Sequence, residues 1–192
     1  LIVIGPASDI SEEDRDKVIK FLDANGKALF FLDPSHSGLK NFEAILDHYM
    51  IKFKNEMVYE QQSSMHTERS SFELVPEVLS SEITDGIINS KSSVYADSCA
   101  YIEEYNPSSD LLTVLPLLNT SSQSISFPYE DYTTGAYENK MSEYTKKQRC
   151  IGLALYQKDS VSMQIDEGTR ICVFTSSELA LGKRSGSAGN IS

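Results

Sequence analysis

The chain has no tryptophan among its 192 residues and only three cysteines, Cys99, Cys150 and Cys172. No two of them are spaced as C-x-x-C, and no His-x-x-His or His-x-x-x-His pair accompanies them. No structural zinc site is therefore expected, and no metal ligands are assigned. Cys150 and Cys172 fall in apolar strand patterns and are most simply small buried hydrophobes. A Cys150–Cys172 bridge stays open at this stage, because it requires those strands to be neighbours. The glycine-rich signatures are missing too: neither G-x-x-x-x-G-K-[ST] nor G-x-G-x-x-G occurs, so no nucleotide cofactor is expected. Basic residues are the scarcer sign, 17 Lys and Arg against 28 Asp and Glu, a formal net charge of −11. That balance argues against nucleic acid and against anionic lipid as partners, since both demand Lys and Arg. No apolar run reaches the length of a membrane-spanning helix. The chain opens inside an apolar run without an initiator Met. It is expected to be a piece of a longer protein, with any membrane tether outside it.

What is present is best ordered at the start. Leu1 to Ile4 is apolar and stops at Gly5-Pro6, where proline ends a ladder. Ser11 is an N-cap candidate, Asp14 sits at the capping-box position, and Glu12 and Glu13 add charge at the positive end of the helix dipole. Val18, Ile19, Phe21 and Leu22 follow at helical spacing as the buried stripe. Gly26 is read as the left-handed residue that ends the helix. Ala28 to Leu32 is a second apolar run, ending at Asp33-Pro34. A strand–helix–strand unit implies a parallel sheet, with its site at the strands' carboxyl ends. Leu1 to Ile4, uninterrupted in its hydrophobicity, is expected to be covered on both faces.

Further along, residues 38–50 read as a helix, and short strands are expected near 51–54 and 56–59. Residues 60–73 and 122–148 are polar with little periodicity and are expected to be irregular excursions. Residues 76–89 suggest a short helix, 93–103 a strand, 111–118 a strand broken by Pro116, 151–156 a buried strand and 170–174 a last strand. The Gly- and Ser-rich residues 182–192 are read as a flexible tail, leaving one α/β domain over residues 1–181.

Three groups at strand ends are the candidate site: Pro6, Ser8 and Asp9; Asp33, Ser35 and His36; and Ser176, Ser177 and Glu178. Asp33-Pro34-Ser35-His36 joins carboxylate, hydroxyl and imidazole, yet so short a spacing seldom lets a triad converge, and a turn explains it as well. Ser177 followed by Glu178 and Leu179 also reads as a helix N-cap, and the G-x-S-x-G frame of a nucleophile elbow is absent. No catalytic residue is assigned. His48 and His66 are isolated. Tyr129, Tyr132, Tyr137 and Tyr144 sit in polar surroundings and are either a binding surface or the anchors of a polar loop.

The run L-I-V-I-G-P, then S-E-E-D, then D-A-N-G-K-A-L-F-F-L-D-P is similar to the Gldg-type auxiliary proteins of ABC transport systems. Leu115 to Ser121 resembles that family's pLLxTS segment, and Gly152 to Leu155 a strand before its closing motif. Arg170 to Leu179 matches the closing motif in outline, with Thr175-Ser176-Ser177-Glu178 in place of Gly-Asp-Ser-Asp. The resemblance implies an α/β fold with a mostly parallel sheet flanked by helices, flavodoxin-like or glutamine-amidotransferase-like. It implies a place on the extracytoplasmic face of a bacterial membrane, and work beside an ABC-type permease and ATPase in export or gliding motility. A similar domain in intraflagellar-transport proteins is non-enzymatic. The function expected is thus a non-catalytic auxiliary domain that binds a partner protein, a peptide or a glycan-like ligand. The rival is a hydrolase or amidotransferase-like enzyme using His36 with Ser177 or a cysteine.

Overall fold

A computed structural model describes residues 1–35, 38–105, 111–158 and 168–181. The opening unit forms as β1 (Ile2–Ile4), α1 (Glu12–Asp23) and β2 (Lys27–Phe31). Ser11 caps α1, its side chain accepting from the Asp14 N–H at 3.1 Å. The helix ends differently from expectation. Asn25, not Gly26, takes the left-handed conformation, at φ 64°. Gly26 is needed for closeness: a Cβ there would stand 2.5 Å from the Phe21 carbonyl oxygen. Phe21 itself is 47% exposed, while Leu22 is fully buried.

Next come α2 (Lys40–His48), β3 (Lys52–Lys54) and β4 (Glu56–Tyr59). The 60–73 excursion contains β5 (His66–Thr67) and most of β6 (Ser70–Leu74), an antiparallel pair. β7 (Glu77–Val78) and α3 (Asp85–Asn89) follow. The strand expected over 93–103 is two short ones, β8 (Ala96–Asp97) and β9 (Tyr101–Glu104), interrupted by Ser98 at φ 54°. After β10 (Leu112–Asn119), the 122–148 excursion builds β11 (Ile125–Pro128), α4 (Tyr129–Thr134) and α5 (Tyr137–Lys140). The described chain closes with β12 (Cys150–Gln157), β13 (Thr169–Phe174) and α6 (Glu178–Leu181). The expected tail at 182–192 lies outside the described residues.

The main sheet runs β1-β2-β13-β12-β10-β7, with β9 joined to β12 and β3 to β9. β1, β2 and β13 are parallel. Every other pairing in that sheet is antiparallel. The expected mostly parallel, flavodoxin-like or glutamine-amidotransferase-like sheet is therefore corrected to a mixed, mostly antiparallel one. The physical reason is that β12, although apolar on both faces, turns back against β13 instead of crossing over. A strand buried on both sides has the same composition in either direction. β1 corrects a second expectation. It is an edge strand, with Ile2 66% and Ile4 45% exposed.

One sheet face packs under α1 and α2. Leu22, Phe42, Ile45 and Leu46 meet Phe30, Leu153, Leu155, Ile171 and Val173 there. The other face gathers Val58, Leu74, Cys99, Leu117, Leu118 and Ala154. A third, smaller core of Met57, Ile125 and Phe127 unites the two excursions, ringed by Tyr59, Phe72, Tyr132, Tyr137 and Tyr144. Cys150 lies in the helix-side core, whereas Cys172 packs on the opposite one and is registered with Ala154. All three cysteines are free, so no bridge joins the two strands.

Gly152 marks a tight point of the sheet, because a Cβ there would meet the Phe174 ring at 2.8 Å. Gly152→Ala is expected to destabilise the domain by about 1–3 kcal/mol through overpacking. Urea unfolding should show a lower midpoint at unchanged slope.

Candidate functional site

The three parallel strands deliver their carboxyl ends to one edge of the sheet, and a single carboxylate ties them. Asp33, just beyond β2, accepts the Ser177 N–H on Oδ1 and the Ser177 hydroxyl on Oδ2, each at 2.6 Å. Gly5, at the end of β1, completes the contact. Its φ is 50°, and a Cβ there would lie 3.1 Å from Ser177 Oγ and 3.3 Å from Asp33 Oδ2. Both the left-handed backbone and the crowding require glycine. Ser176 is fully buried and donates its hydroxyl to the Asp97 carbonyl at 2.6 Å. Ser177 then starts α6, its carbonyl accepting from Ala180 and Leu181, with Glu178 half-buried in the first turn.

The remaining candidates are placed differently. Asp9 accepts from the backbone N–H of Asn41 at 2.8 Å and of Phe42 at 3.4 Å. It caps α2 from a distant segment, as the Leu39 side chain offers no cap of its own. Pro6 is half-buried and Ser8 exposed in the loop that Asp9 anchors. Ser35 is gripped on both backbone groups by Asn55, donating to Oδ1 at 2.8 Å and accepting from Nδ2 at 2.7 Å. His36 lies outside the described residues. The structure thus brings Asp33, Ser176 and Ser177 together and directs Asp9 to a helix end.

Sequence reasoning missed several participants. Gly5 and Asn55 belong to the site, and only the polar break Asn55 between two strands hinted at the latter. Cys99 is fully buried beside Ser176 and Thr175. Burial, then the nearby Asp97 and Asp33 carboxylates, push its thiol well above the ordinary range. Burial likewise lifts Cys150 to about 12 and raises Cys172. These shifts run against thiolate formation near neutral pH.

A second buried polar centre closes the base of the 122–148 excursion. Glu60, fully buried, accepts the Ser121 hydroxyl at 2.6 Å and the Ser121 N–H at 2.9 Å. Arg149, 4% exposed, donates to the carbonyls of Ser124, Lys147 and Thr145. Its guanidinium also lies 5.2 Å from the Tyr101 ring centroid. Desolvation pulls its pKa below the ordinary value, with Tyr101 and Glu56 opposing. One cation therefore pins both ends of the excursion.

Chemically, the Ser176 and Ser177 hydroxyls act as donors to internal acceptors, whereas the buried Ser35 hydroxyl has no hydrogen-bond partner among the described residues. The Ser177 hydroxyl donates to Asp33 directly, and no imidazole lies between them among the described residues. Among the described residues no group of three or more His, Cys, Asp or Glu is placed to hold a metal ion. No helix of the described residues is long and apolar enough to cross a membrane.

No family model and no curated protein matches the chain. Among solved structures it is similar to one described as the mmIFT52 N-terminal domain, at 18% identity and a TM-score of 0.57, over 93% of this chain and 65% of that chain. The chain thus spans about 65% of that chain's length. At this identity the likeness is one of fold, and that fold replaces the flavodoxin-like expectation.

Two measurements check the site. Asp33→Ala strands the Ser177 N–H and should lower stability by about 1–3 kcal/mol, whereas Ser8→Ala should change it by less than about 0.5 kcal/mol. Iodoacetamide at pH 8 should leave Cys99 and Cys150 unmodified in the folded chain and label them in urea. Mass spectrometry reads both states.

Proposed function

We propose that the chain is a non-catalytic recognition domain, an extracytoplasmic auxiliary part of an ABC-type transport system, that engages a protein partner of that system through its strand-end loops. One observation carries the non-catalytic part: Asp33 holds both the N–H and the hydroxyl of Ser177. A carboxylate that holds the backbone N–H as well as the hydroxyl fastens two loops together, and this supports a structural role for the pair. Rigid loops suit recognition, because little conformational entropy is lost when a partner binds. Pro6, Ser8 and Glu178 are the contact candidates, on loops held by Asp9 and Asp33. The transport context rests on the resemblance of Leu1 to Pro34, Leu115 to Ser121 and Arg170 to Leu179 to Gldg-type proteins. The permease of that system is the proposed partner.

A photo-crosslinking residue at Ser8 or Glu178 should capture a permease or another integral membrane component in intact source-cell membranes. The same group at Asp16, on the outer surface of α1, should not. Absence of adducts from Ser8 and Glu178, or equal capture from Asp16, would overturn the assignment. A fluorophosphonate probe should leave the folded chain unlabelled, and labelling at Ser177 would reinstate the hydrolase alternative.

A further inference from the structure

The lobe built by the two excursions carries a strip of tyrosines. Ring centroids are 6.2 Å apart for Tyr59 and Tyr137, 6.4 Å for Tyr137 and Tyr132, and 5.8 Å for Tyr132 and Tyr129. Phenylalanines back the strip: Tyr137 stacks on Phe127 at 4.7 Å, and Tyr132 meets Phe72 edge-on at 4.8 Å. All four tyrosines are half-buried, so each is fixed by packing and still reaches solvent. Residues 122–148 carry Glu130, Asp131, Glu138 and Glu143 against Lys140, Lys146 and Lys147; Lys146 donates to Gln123 and Lys147 lies over the Tyr101 ring. Lys140 is held by Asp131 at 3.0 Å, and Asp131 also accepts the Tyr144 hydroxyl at 2.8 Å. Glu130, Glu138 and Glu143 are exposed.

Aromatic faces carry a negative quadrupole, and neighbouring carboxylates add full negative charge. Fixed rings with polar ends also give contact area at low entropic cost. We propose that Tyr59, Tyr129, Tyr132 and Tyr137, with Glu130 and Glu138, form a docking surface for an arginine- or lysine-bearing segment of a partner protein. Charge complementarity selects this occupant: a net charge of −11 disfavours a second copy of the chain, and the carboxylate rim disfavours anionic lipid. The surface is separate from the strand-end loops and does not depend on their role.

The test uses the peptide acetyl-Gly-Arg-Gly-Arg-Gly-amide and its citrulline counterpart, titrated into the chain and followed by amide chemical shifts. The arginine peptide should bind, with shifts centred on residues 129–138, and the neutral peptide at least about fivefold more weakly, the scale of one cation–π contact. Glu138→Gln and Tyr132→Leu should each weaken binding about three- to tenfold, and Tyr132→Phe should retain it. The pair Glu12→Gln and Glu13→Gln on α1 should leave affinity unchanged. Equal binding of both peptides would overturn the proposal by showing that the cationic group is not recognised, and an equal loss from the α1 pair would overturn it by showing diffuse attraction to an acidic chain. Tyr132→Leu is scored only alongside Glu138→Gln, which leaves the aromatic packing intact.

Discussion

Burial of β12 on both faces is the constraint from which the rest of this structure follows. Residues 150–155 are all buried, and a buried backbone must find its hydrogen bonds inside the protein. β13 and β10 supply them along either side. Two apolar faces then have to be covered by different material. α1 and α2 cover one, and the short strands from the 56–101 region cover part of the other. The register shifts along β10 and β12 adjust the alternation so that Ile151 and Leu153 serve opposite cores. Gly152 is the concession to that arrangement, because the Phe174 ring occupies the space of its missing side chain.

The strand ends show how polar groups are managed at the rim of such a core. Gly5, Asp33 and Ser177 come from three different strands, and each is adapted to the other two. A carboxylate near buried backbone needs donors, and Ser177 provides two on one residue. Asp9 answers the same need at α2, where the open N–H groups of a helix start take a distant carboxylate. Acidic residues that look reactive in a linear chain are here structural fasteners.

The accessory lobe follows another logic. Its core is small, and most of its aromatic rings end in hydroxyls, so its surface stays polar although its interior is aromatic. Arg149 joins it to the sheet by gathering three carbonyls from the segments that flank it. A guanidinium suits this task because its planar donors diverge. The lobe is therefore a fixed attachment to the sheet, and not a loose loop.

Local chemistry was legible in the amino-acid sequence wherever neighbours in the chain are neighbours in space. The Ser11 cap, the strand–helix–strand opening and the strand over residues 151–156, buried as far as Leu155, all follow from periodicity and punctuation. The strand-end position of Asp33 and Ser177 was legible too, as an address without a role. Strand direction was not, since a two-faced apolar strand carries no mark of which way its neighbour runs. The order within residues 60–73 and 122–148 was hidden for a related reason. Phe72, Phe127 and Tyr137 have no periodic pattern along the chain and form a core only across segments. The hydrogen bond from Ser177 to Asp33 spans 144 residues. Composition and spacing determined which residues were available to meet, and only the tertiary structure decided which ones did, because hydrogen-bond satisfaction and packing are settled between segments.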